Sequence, residues 1–577
     1  MNRRRFLRHS ASALPAALLA PSALRAGGPP AGPVILSGIA ARTTPAAKEL
    51  RADVVVIGGG LGGCAAALAA ARRGRRVILT EETDWIGGQL TSQAVPPDEN
   101  AQIETGGATR SYRELRERIR DHYRRNFPLT PAARANARLN PGNGSVSRLC
   151  HEPRAALAAL QELLAPHVAG GRVEILLFHV PVAAQTARDR VEAVTVRSLD
   201  LGHETVLRAP YFIDATELGD VLPLTGTEFV TGAESRRETG EPRAKELAEP
   251  DNHQAFTCCF AMDYLAGEDH VIERPRDYAF WRDHVPALRP PWSGKLLSLF
   301  YSSPRTLQPF NMGFDPEKGT GLFKYRRIID RSQFAPGTYP GDITLVNWPQ
   351  NDYMLGNLAG VSPAEAARHT AAGKQLSLSW LYWLQTECPR PDGGTGWKGL
   401  RLRPDIVGTA DGLAKYPYIR ESRRIRAEFT VTELHVGTEA RQGATGARTP
   451  AETTAAIFPD SVGIGSYNID LHPSSGGDNY IDFPALPFQI PLGCLLPVRM
   501  ENLLAANKNI GTTHLTNGCY RLHPVEWNIG EAAGELAAFC LSGRHAPRGV
   551  RQAPGLLAEF QAKLVEAGIP LAWERRP

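Results

Sequence analysis

Spacing patterns that mark metal sites and disulfide scaffolds are missing from this sequence of 577 residues. Its eight cysteines include no C-x-x-C pair, so their spacing predicts neither a metal site nor a disulfide framework. Internal repeats and compositionally biased tracts are missing as well. Because a chain of this length exceeds what one hydrophobic core organises, we expect a globular protein with two or more domains.

An excess of charge is also missing from the body of the chain. Five of the 65 lysines and arginines lie in the first 26 residues, which contain no acidic residue. The remaining 60 basic residues match 60 acidic ones, so no general attraction to nucleic acid or to an anionic membrane is expected. We therefore predict no nucleic-acid partner.

The arginines near the N-terminus belong to a predicted export signal. Residues 3–8 read RRRFLR, which resembles the twin-arginine motif R-R-x-F-L followed by a basic residue. The mildly apolar stretch 10–24 contains two prolines and is too short to span a bilayer comfortably. We predict a signal peptide over 1–26 and a flexible leader over 27–50. The twin-arginine machinery would export the folded protein to the periplasm or the medium, with no stable membrane insertion after cleavage.

Residues 51–82 organise the rest of the chain. A valine-rich strand runs into Gly58, Gly60 and Gly63, spaced G-x-G-x-x-G, and a small-residue helix and a second strand ending at Glu81 follow. The glycines permit a tight turn, close approach of a pyrophosphate, and close packing of helix on strand. The acid would accept hydrogen bonds from a ribose hydroxyl. The pattern predicts a dinucleotide site that NAD or FAD could fill.

Later segments favour FAD over NAD. A glycine pair at Gly87 and Gly88, a β-meander over 173–207, and a strand at 211–213 leading into Asp214 follow the first unit. A glycine- and alanine-rich helix then begins near Pro524, and its free N–H groups would stabilise negative charge on a flavin. An NAD enzyme would usually continue with further strand–helix repeats instead.

Four local features are also predicted. We expect a helix over 111–125, capped by Ser111, with an arginine-rich face in solvent. We expect a mobile polar surface loop over 234–249 and strands around 428–435. The aromatic stripe at 380–383 is expected to pack in a core.

The ordered motifs of the chain resemble those of a known family. They are GGGLGG at 58–63, WIGGQLTSQ at 85–93, IDATELGD at 213–220, NWPQNDY at 347–353, PYIRESRRI at 417–425, GSYNIDLH at 465–472 and the late glycine–alanine helix. This order is similar to the glutathione-reductase-like FAD fold. More narrowly, it resembles the large FAD-dependent oxidoreductase family of bacterial, often exported flavoproteins. The resemblance covers about 53–540.

The resemblance implies an α/β fold with a Rossmann-like FAD-binding domain of the glutathione-reductase type and an inserted mixed α+β substrate or cap domain. The FAD-binding domain would comprise 51–230 and 486–545, the cap domain 231–485, and a C-terminal helix and tail 546–577. It also implies FAD contacts from Gly58, Gly60, Gly63, Glu81, Gly87, Gly88, Gln89, Val180, Asp214, Ile529 and Gly530. Asn507 and Asn509 stand where related folds commonly place acids near the ribityl chain.

Histidines in or near these motifs are candidates for proton transfer, because imidazole titrates near neutral pH. His472, His514 and His523 are such candidates, and His472 follows Tyr467 in a short polar stretch. Arg420 could hold an anionic group, although neighbouring glutamates could neutralise it. We predict catalytic roles for His472, His514, Tyr467 and Arg420.

These features predict an exported FAD-dependent oxidoreductase. It would remove a hydride from a small organic substrate, such as a hydroxylated or sugar-like compound, and pass electrons to an acceptor that the sequence does not specify. Two alternatives remain open at this point. One is a flavoprotein that relays electrons or only binds, and the other is an NAD-dependent dehydrogenase.

Overall fold

The computed structural model describes residues 48–449 and 451–574. The predicted signal peptide and all but the last three residues of the leader lie outside the described residues. Within them, no helix is long and apolar enough to cross a bilayer. The described part of the chain also contains no group of three or more His, Cys, Asp or Glu side chains placed to hold a metal ion.

A five-stranded parallel sheet, here called the central sheet, lies at the middle of the first core. Its strands, in spatial order, are Leu503–Ala505, Tyr211–Asp214, Val54–Ile57, Val77–Glu81 and Val173–Leu177. Val54–Ile57 is entirely buried, which explains its unbroken run of valine and isoleucine. The predicted dinucleotide unit and the returning strand are confirmed.

One strand belongs to a different sheet from the one predicted. Val173–Leu177 was expected in the β-meander, but it extends the central sheet beside Val77–Glu81. The helix Pro153–Ala169 precedes it and provides the crossover that a parallel neighbour requires. The second sheet instead contains Lys48–Arg51, Glu204–Arg208, Arg190–Ser198 and His179–Ala187, in that order.

Two helices contact each other through bare backbone. The fingerprint helix, Leu61–Arg72, follows the first strand, and the late helix, His523–Gly543, follows the last strand of the central sheet. A Cβ on Gly530 would lie 1.9 Å from the Gly62 oxygen. Such close approach requires glycine, which explains the small residues of both helices.

A second hydrophobic core contains most of the tryptophans. Its antiparallel sheet has the order Arg327–Ile329, Ile343–Val346, Phe260–Tyr264 and Leu400–Leu402. The helix Pro363–Thr386, capped by Ser362, brings Trp380 and Trp383 into this core, where their rings stack 5.1 Å apart. The predicted packing role of the aromatic stripe is confirmed.

Shorter elements connect these parts. The other helices are Arg110–Asn126, Pro131–Ala135, Val221–Thr225, Arg236–Thr239, Tyr278–Asp283, Leu322–Tyr325, Pro404–Val407, Glu433–Val436, Thr438–Thr445, His514–Tyr520, Pro547–Gln552 and Pro554–Ala567. Short strands pair as Phe229–Val230 with Arg424–Ile425, Phe256–Thr257 with Asp352–Tyr353, Tyr301–Ser302 with Pro309–Phe310, Phe314–Asp315 with Thr320–Gly321, Ser461–Gly465 with Phe488–Pro491, and Ile469–Leu471 with Ile481–Phe483.

The helix Arg110–Asn126 differs from its prediction at two points. Thr109, not Ser111, caps it by accepting a hydrogen bond from the Tyr112 amide. Arg116 and Arg120 on its arginine-rich face are buried, so the expectation of a solvated face is wrong for these two. Both bind carboxylates of the preceding segment, which composition alone does not reveal.

Two loop and strand predictions are also wrong. Residues 234–249 contain the short helix Arg236–Thr239 with a Ser235–Glu238 capping box, and Ala233 pairs with Glu249. The strands expected around 428–435 are replaced by an isolated pairing of Val431 with Thr512 and the helical turn Glu433–Val436. In both places, side-chain capping and long-range contacts override local hydrophobicity.

Candidate active site

A cavity of about 430 Å³ opens at the carboxyl ends of the central strands. We call it the glycine cavity, because the glycine turn between the first strand and the fingerprint helix forms one wall. Its lining includes Gly58, Gly59, Gly60, Glu81, Gly88, Val180, Thr216 and Glu217. Ligands of open α/β sheets bind at this edge, so the position is that of a dinucleotide site.

The glycine turn is as tight as the fingerprint requires. Gly58 has a φ of +100°, and a Cβ there would lie 2.3 Å from the Ala215 oxygen. A Cβ on Gly63 would lie 1.9 Å from the Gly58 oxygen. Gly63 therefore serves packing of helix on strand and does not line the cavity, whereas Gly58 and Gly60 do.

Glu81 lies at the end of its strand with 7% of its surface exposed. One carboxylate oxygen accepts hydrogen bonds from the Thr83 amide at 2.9 Å and the Thr83 hydroxyl at 2.7 Å. Burial nevertheless raises the pKa of Glu81 to about 8. Because this pKa lies near neutral pH, Glu81 can carry a proton. A protonated carboxyl group can both donate a hydrogen bond to a ribose hydroxyl and accept one from it, which suits the predicted role.

Lys508 and two glutamates form a buried ion-pair cluster beside the glycine turn. The Lys508 ammonium contacts Glu217 at 2.5 Å and Glu526 at 3.5 Å. The Glu217 Oε1 atom is buried without a hydrogen-bond partner among the described residues, and it lies 2.9 Å from a Cβ placed on Gly60. The bare glycine backbone can be approached by a pyrophosphate, whereas the free carboxylate oxygen of Glu217 is an acceptor and suits a hydroxyl group of the ligand.

Lys508 was not among the predicted site residues, although it stands between Asn507 and Asn509. Both asparagines are buried, and their side chains bond backbone oxygens of Ala215 and Asp214. They therefore hold the loop that follows the strand Tyr211–Asp214. A lysine at the end of a buried strand was the signal that could have identified this site.

Gln89 connects the glycine cavity to a second cavity. Gly87 and Gly88 turn the chain with φ values of +110° and +48° ahead of it. The Gln89 amide donates to the Arg521 oxygen at 2.9 Å and to Glu526, and its oxygen accepts from the Tyr418 hydroxyl at 3.3 Å. Tyr418 and Arg521 line the second cavity, so Gln89 occupies the position between the two.

Three further predicted cofactor residues line neither cavity. Asp214 is buried and accepts from the Thr216 amide at 3.0 Å, which shapes the cavity loop, and burial raises its pKa to about 7. Ile529 and Gly530 lie in the second turn of the late helix, and Gly530 packs on the fingerprint helix. The free N–H groups of the late helix belong to its first turn, at 523–526.

The second cavity measures about 650 Å³, and we call it the tyrosine cavity. Its aromatic walls are Tyr301, Tyr325, Tyr418, Tyr467 and Tyr480. Its charged lining consists of Arg305, Arg326, Arg420, Arg521, Asp98, Asp470 and Asp482, together with His472. Aromatic faces alternating with hydrogen-bonding pairs suit a small polar organic molecule.

His472 and Asp352 form the chemically distinctive pair of this cavity. The His472 Nδ1 atom lies 2.6 Å from Asp352, whose other oxygen contacts Arg420 at 3.0 Å and the Thr257 hydroxyl at 2.6 Å. Burial acts to raise the pKa of Asp352, but the charge of Arg420 and the hydrogen bonds from His472 and Thr257 prevail and lower it. Asp352 is therefore ionised, and it accepts a hydrogen bond from the Nδ1–H group of His472.

The imidazole of His472 is neutral at pH 7. Burial and the nearby Arg420 lower its pKa, despite the opposing charge of Asp352. With the proton held on Nδ1, Nε2 is free to accept a second proton, and it has no hydrogen-bond partner among the described residues. The pair resembles a base and its orienting carboxylate.

Three of the four predicted catalytic residues meet in the tyrosine cavity. Tyr467, His472 and Arg420 line it, and Arg420 also donates to the Ala255 oxygen at 2.7 Å. His514 does not line it, because it binds Glu421 at 2.8 Å in a separate buried cluster with Arg424. His523 accepts from the Asp98 amide, and burial lowers its pKa to about 3.

The solved structures named below are only weakly similar to this chain. A variant of the quinol fumarate reductase FrdA of E. coli is 12% identical over 90% of this chain and 74% of its own, with a TM-score of 0.32. The anhydrotetracycline hydroxylase OxyS of Streptomyces rimosus is 12% identical over 90% and 67%, also with a TM-score of 0.32. The match to the L-proline dehydrogenase of P. horikoshii is 15% identical, covers 32% of this chain and 24% of that protein, and has a TM-score of 0.17. No argument rests on similarities this low, and no curated protein matches the chain.

Comparison with protein families is decisive. The model of the family described as FAD dependent oxidoreductase matches residues 53–564. The parallel sheet and mixed α/β content agree with a Rossmann-like FAD-binding fold. The match resolves the choice between NAD and FAD that the glycine fingerprint left open. This protein therefore belongs to the FAD dependent oxidoreductase family and is an oxidoreductase whose cofactor is FAD.

Proposed function

We propose that this enzyme oxidises a small hydroxylated, sugar-like substrate in the tyrosine cavity, with His472 as the proton acceptor. The observation that carries the proposal is the 2.6 Å contact between His472 and the ionised Asp352. An imidazole oriented in this way can take the hydroxyl proton of an alcohol as the alcohol carbon is oxidised. When bound, FAD supplies the acceptor for the hydride.

Substrate positioning is assigned to the walls of the tyrosine cavity. Tyrosine rings offer flat apolar faces for the C–H side of a polyol, and their hydroxyls offer hydrogen bonds. Arg326 and Arg521 contact Asp98 and Asp470 only loosely, at 3.4 Å and 3.5 Å. Loosely paired charges keep donors and acceptors available, so neutral hydroxyl groups can insert between them.

We assign the cofactor to a path from the glycine cavity past Gln89, as in the glutathione-reductase type of fold. Gly58, Gly60 and Glu81 would hold the adenosine and pyrophosphate, with Val180 beside the adenine. Lys508 would offset the negative charge of Glu217 and Glu526 beside the pyrophosphate. The first turn of the late helix would offer its N–H groups to the flavin.

The experiment is anaerobic mixing of the FAD-loaded enzyme with a panel of alcohols, polyols and sugars, followed by flavin absorbance. Bleaching by a small molecule is expected, and His472→Ala should keep its FAD but lose the bleaching. His203→Ala changes an exposed histidine in the turn before the strand Glu204–Arg208 and should behave as the wild type. Bleaching that persists in His472→Ala, or reduction only by a protein donor, would contradict the proposal; the latter would indicate an electron relay.

Export is a separate proposal, carried by the RRRFLR motif. We propose that FAD is loaded in the cytoplasm and that the folded enzyme then crosses the membrane by the twin-arginine route. Replacing Arg3 and Arg4 by lysine should retain active enzyme in the cytoplasm. Export that is unaffected by this change would contradict the proposal.

A further inference from the structure

A third cavity, of about 560 Å³, adjoins the tyrosine cavity. We call it the rim cavity. Asn100 and Ala101 line both cavities, so this short stretch is all that separates them there. Ala101 is exposed, so the dividing wall reaches the protein surface. A molecule longer than the tyrosine cavity can therefore continue across Ala101 into the rim cavity.

The acidic side chains of the rim cavity are already neutralised. Glu99 accepts from Arg116 at 2.8 Å, from the Tyr112 hydroxyl at 3.0 Å and from Ser147 at 3.1 Å. Glu104 accepts from both Arg116 and Arg120 at 2.7 Å. Partial burial would raise the pKa of Glu104, but these two arginines hold it at about 2.

Two other arginines of the rim cavity have no such partner. Arg138 and Arg148 line the cavity, and both are exposed. Neither guanidinium forms an ion pair or a hydrogen bond with any described residue. In the tyrosine cavity, by contrast, Arg305, Arg326, Arg420 and Arg521 each lie within 4 Å of an aspartate. The rim cavity is therefore the cationic part of a continuous polar surface.

We propose that the rim cavity is a second binding subsite, which takes an anionic group of a substrate whose reacting end lies in the tyrosine cavity. The substrate class is an extended acidic polyol, such as a short acidic oligosaccharide. Arg138 and Arg148 bind its carboxylate, and guanidinium groups suit that geometry. This proposal rests on the proposed function, because that function places the reacting end of the substrate.

The test measures calorimetric affinity of the FAD-loaded enzyme for two matched probes, trigalacturonate and maltotriose. We expect the acidic trisaccharide to bind about tenfold more tightly, and less so at high salt, because exposed charges are screened. The double variant Arg138→Gln/Arg148→Gln should lose this preference. Arg237→Gln should keep it, since Arg237 is exposed but lines none of these cavities.

Equal affinity for the two probes, a preference that survives in the double variant, or no binding of either would overturn the proposal. Failure of the proposed function is distinguished from these results, because it appears as a lack of flavin bleaching by every hydroxylated compound. Binding of the acidic probe can be measured without any turnover.

Discussion

His472 and Asp352 share one hydrogen bond although 120 residues separate them in the chain. Asp352 begins a two-residue strand that pairs with Phe256–Thr257, and His472 directly follows the strand Ile469–Leu471. The carboxylate is fully buried, and it is bound on its other side by Arg420 and Thr257. Its position is thus fixed by contacts that do not involve the histidine.

Asp352→Asn should change the pH dependence of flavin reduction as well as its rate. Reduction requires neutral His472, so it is lost as pH falls through the pKa of His472, which lies below its usual value of 6.5. The negative charge of Asp352 raises that pKa, so its removal should move the loss to still lower pH. The rate on the plateau should fall about 100-fold or more, because the imidazole loses its orienting partner. Stopped-flow reduction across the pH range measures both effects.

Equal FAD content in the variant and the wild type is the control for this measurement. A pH profile that does not move, or that moves to higher pH, would show that Asp352 does not act on the proton-accepting imidazole.

At this scale the sequence identified individual residues better than their partners. The motif GSYNIDLH indicated His472 and Tyr467, because polar side chains cluster there within a few positions. Asp352 appeared only as a member of the motif NWPQNDY. His514 was a candidate on the same grounds as His472, because both lie in or near the family-like motifs. Only tertiary contacts place His514 with Glu421. Pairings across more than one hundred residues leave no trace in local spacing.

The contact between the fingerprint helix and the late helix depends on single glycines. The backbone of Gly530 lies against Gly62, and that of Gly534 lies against Ala66. In addition, Glu526 accepts a hydrogen bond from the Gly62 amide at 3.1 Å. The first turn of each helix is therefore positioned by the other, next to the glycine cavity.

Gly530→Ala should weaken both folding and FAD binding. The added methyl would meet backbone that has no freedom to move, so the free energy of unfolding should fall by about 1–3 kcal/mol. Chemical denaturation and FAD titration would measure the two effects.

Gly443→Ala is the matched control, since Gly443 lies in the helix Thr438–Thr445 with open space around its Cβ position. That variant should gain up to about 1 kcal/mol. Equal outcomes for the two variants would contradict the close-packing argument.

Arg116→Met should be among the more damaging changes on the helix Arg110–Asn126. The side chain is 3% exposed and binds both Glu99 and Glu104, so its loss leaves buried carboxylates without their main partner. We expect a cost of about 3–5 kcal/mol in the free energy of unfolding, measured by denaturant titration. Arg125→Met, on the same helix, removes an exposed ion pair with Glu162 and should leave the unfolding midpoint nearly unchanged. A similar loss in both variants would contradict the role of burial.

Periodicity and turn residues predicted the fingerprint unit, the helix after residue 110, the returning strand and the late helix, because those signals are local. They could not assign the strand Val173–Leu177 to its sheet, since the choice of neighbour depends on the path of the preceding helix. They also classed Arg116 and Arg120 as solvated. Arginine counts as polar in a hydropathy pattern, so the pattern predicts an exposed side chain. The buried carboxylates that bind these arginines lie outside the helix, where the pattern does not reach.

At the scale of the whole molecule, the cofactor site combines distant parts of the chain. Glycines near residue 60, the loop after Tyr211–Asp214, and Lys508 and Glu526 meet at one edge of the central sheet. These parts come together only when the chain is folded, so a dinucleotide that contacts all of them binds the folded state alone. Ligand binding should therefore stabilise the folded chain as a whole.

FAD should raise the thermal unfolding midpoint of the cofactor-free protein, whereas NAD should not. A ligand that binds only the folded state adds about 2.7 kcal/mol at one hundred times its dissociation constant. Differential scanning fluorimetry with each dinucleotide measures this. Lys508→Met should reduce the shift, because Glu217 and Glu526 would then present uncompensated negative charge to the pyrophosphate. Equal protection by the two dinucleotides would contradict the assignment of the glycine cavity to FAD.

The hydrogen bond between Gly62 and Glu526 spans 464 positions in the chain. At roughly 5–20 residues per second, the ribosome needs about half a minute to a minute and a half to make the second partner after the first. Throughout that time, the fingerprint helix lacks the late helix, which is the element it contacts most and on which its small residues pack. A nascent chain of this protein should therefore require protection by chaperones until its last tenth emerges, and stalled or truncated products should aggregate and bind no flavin.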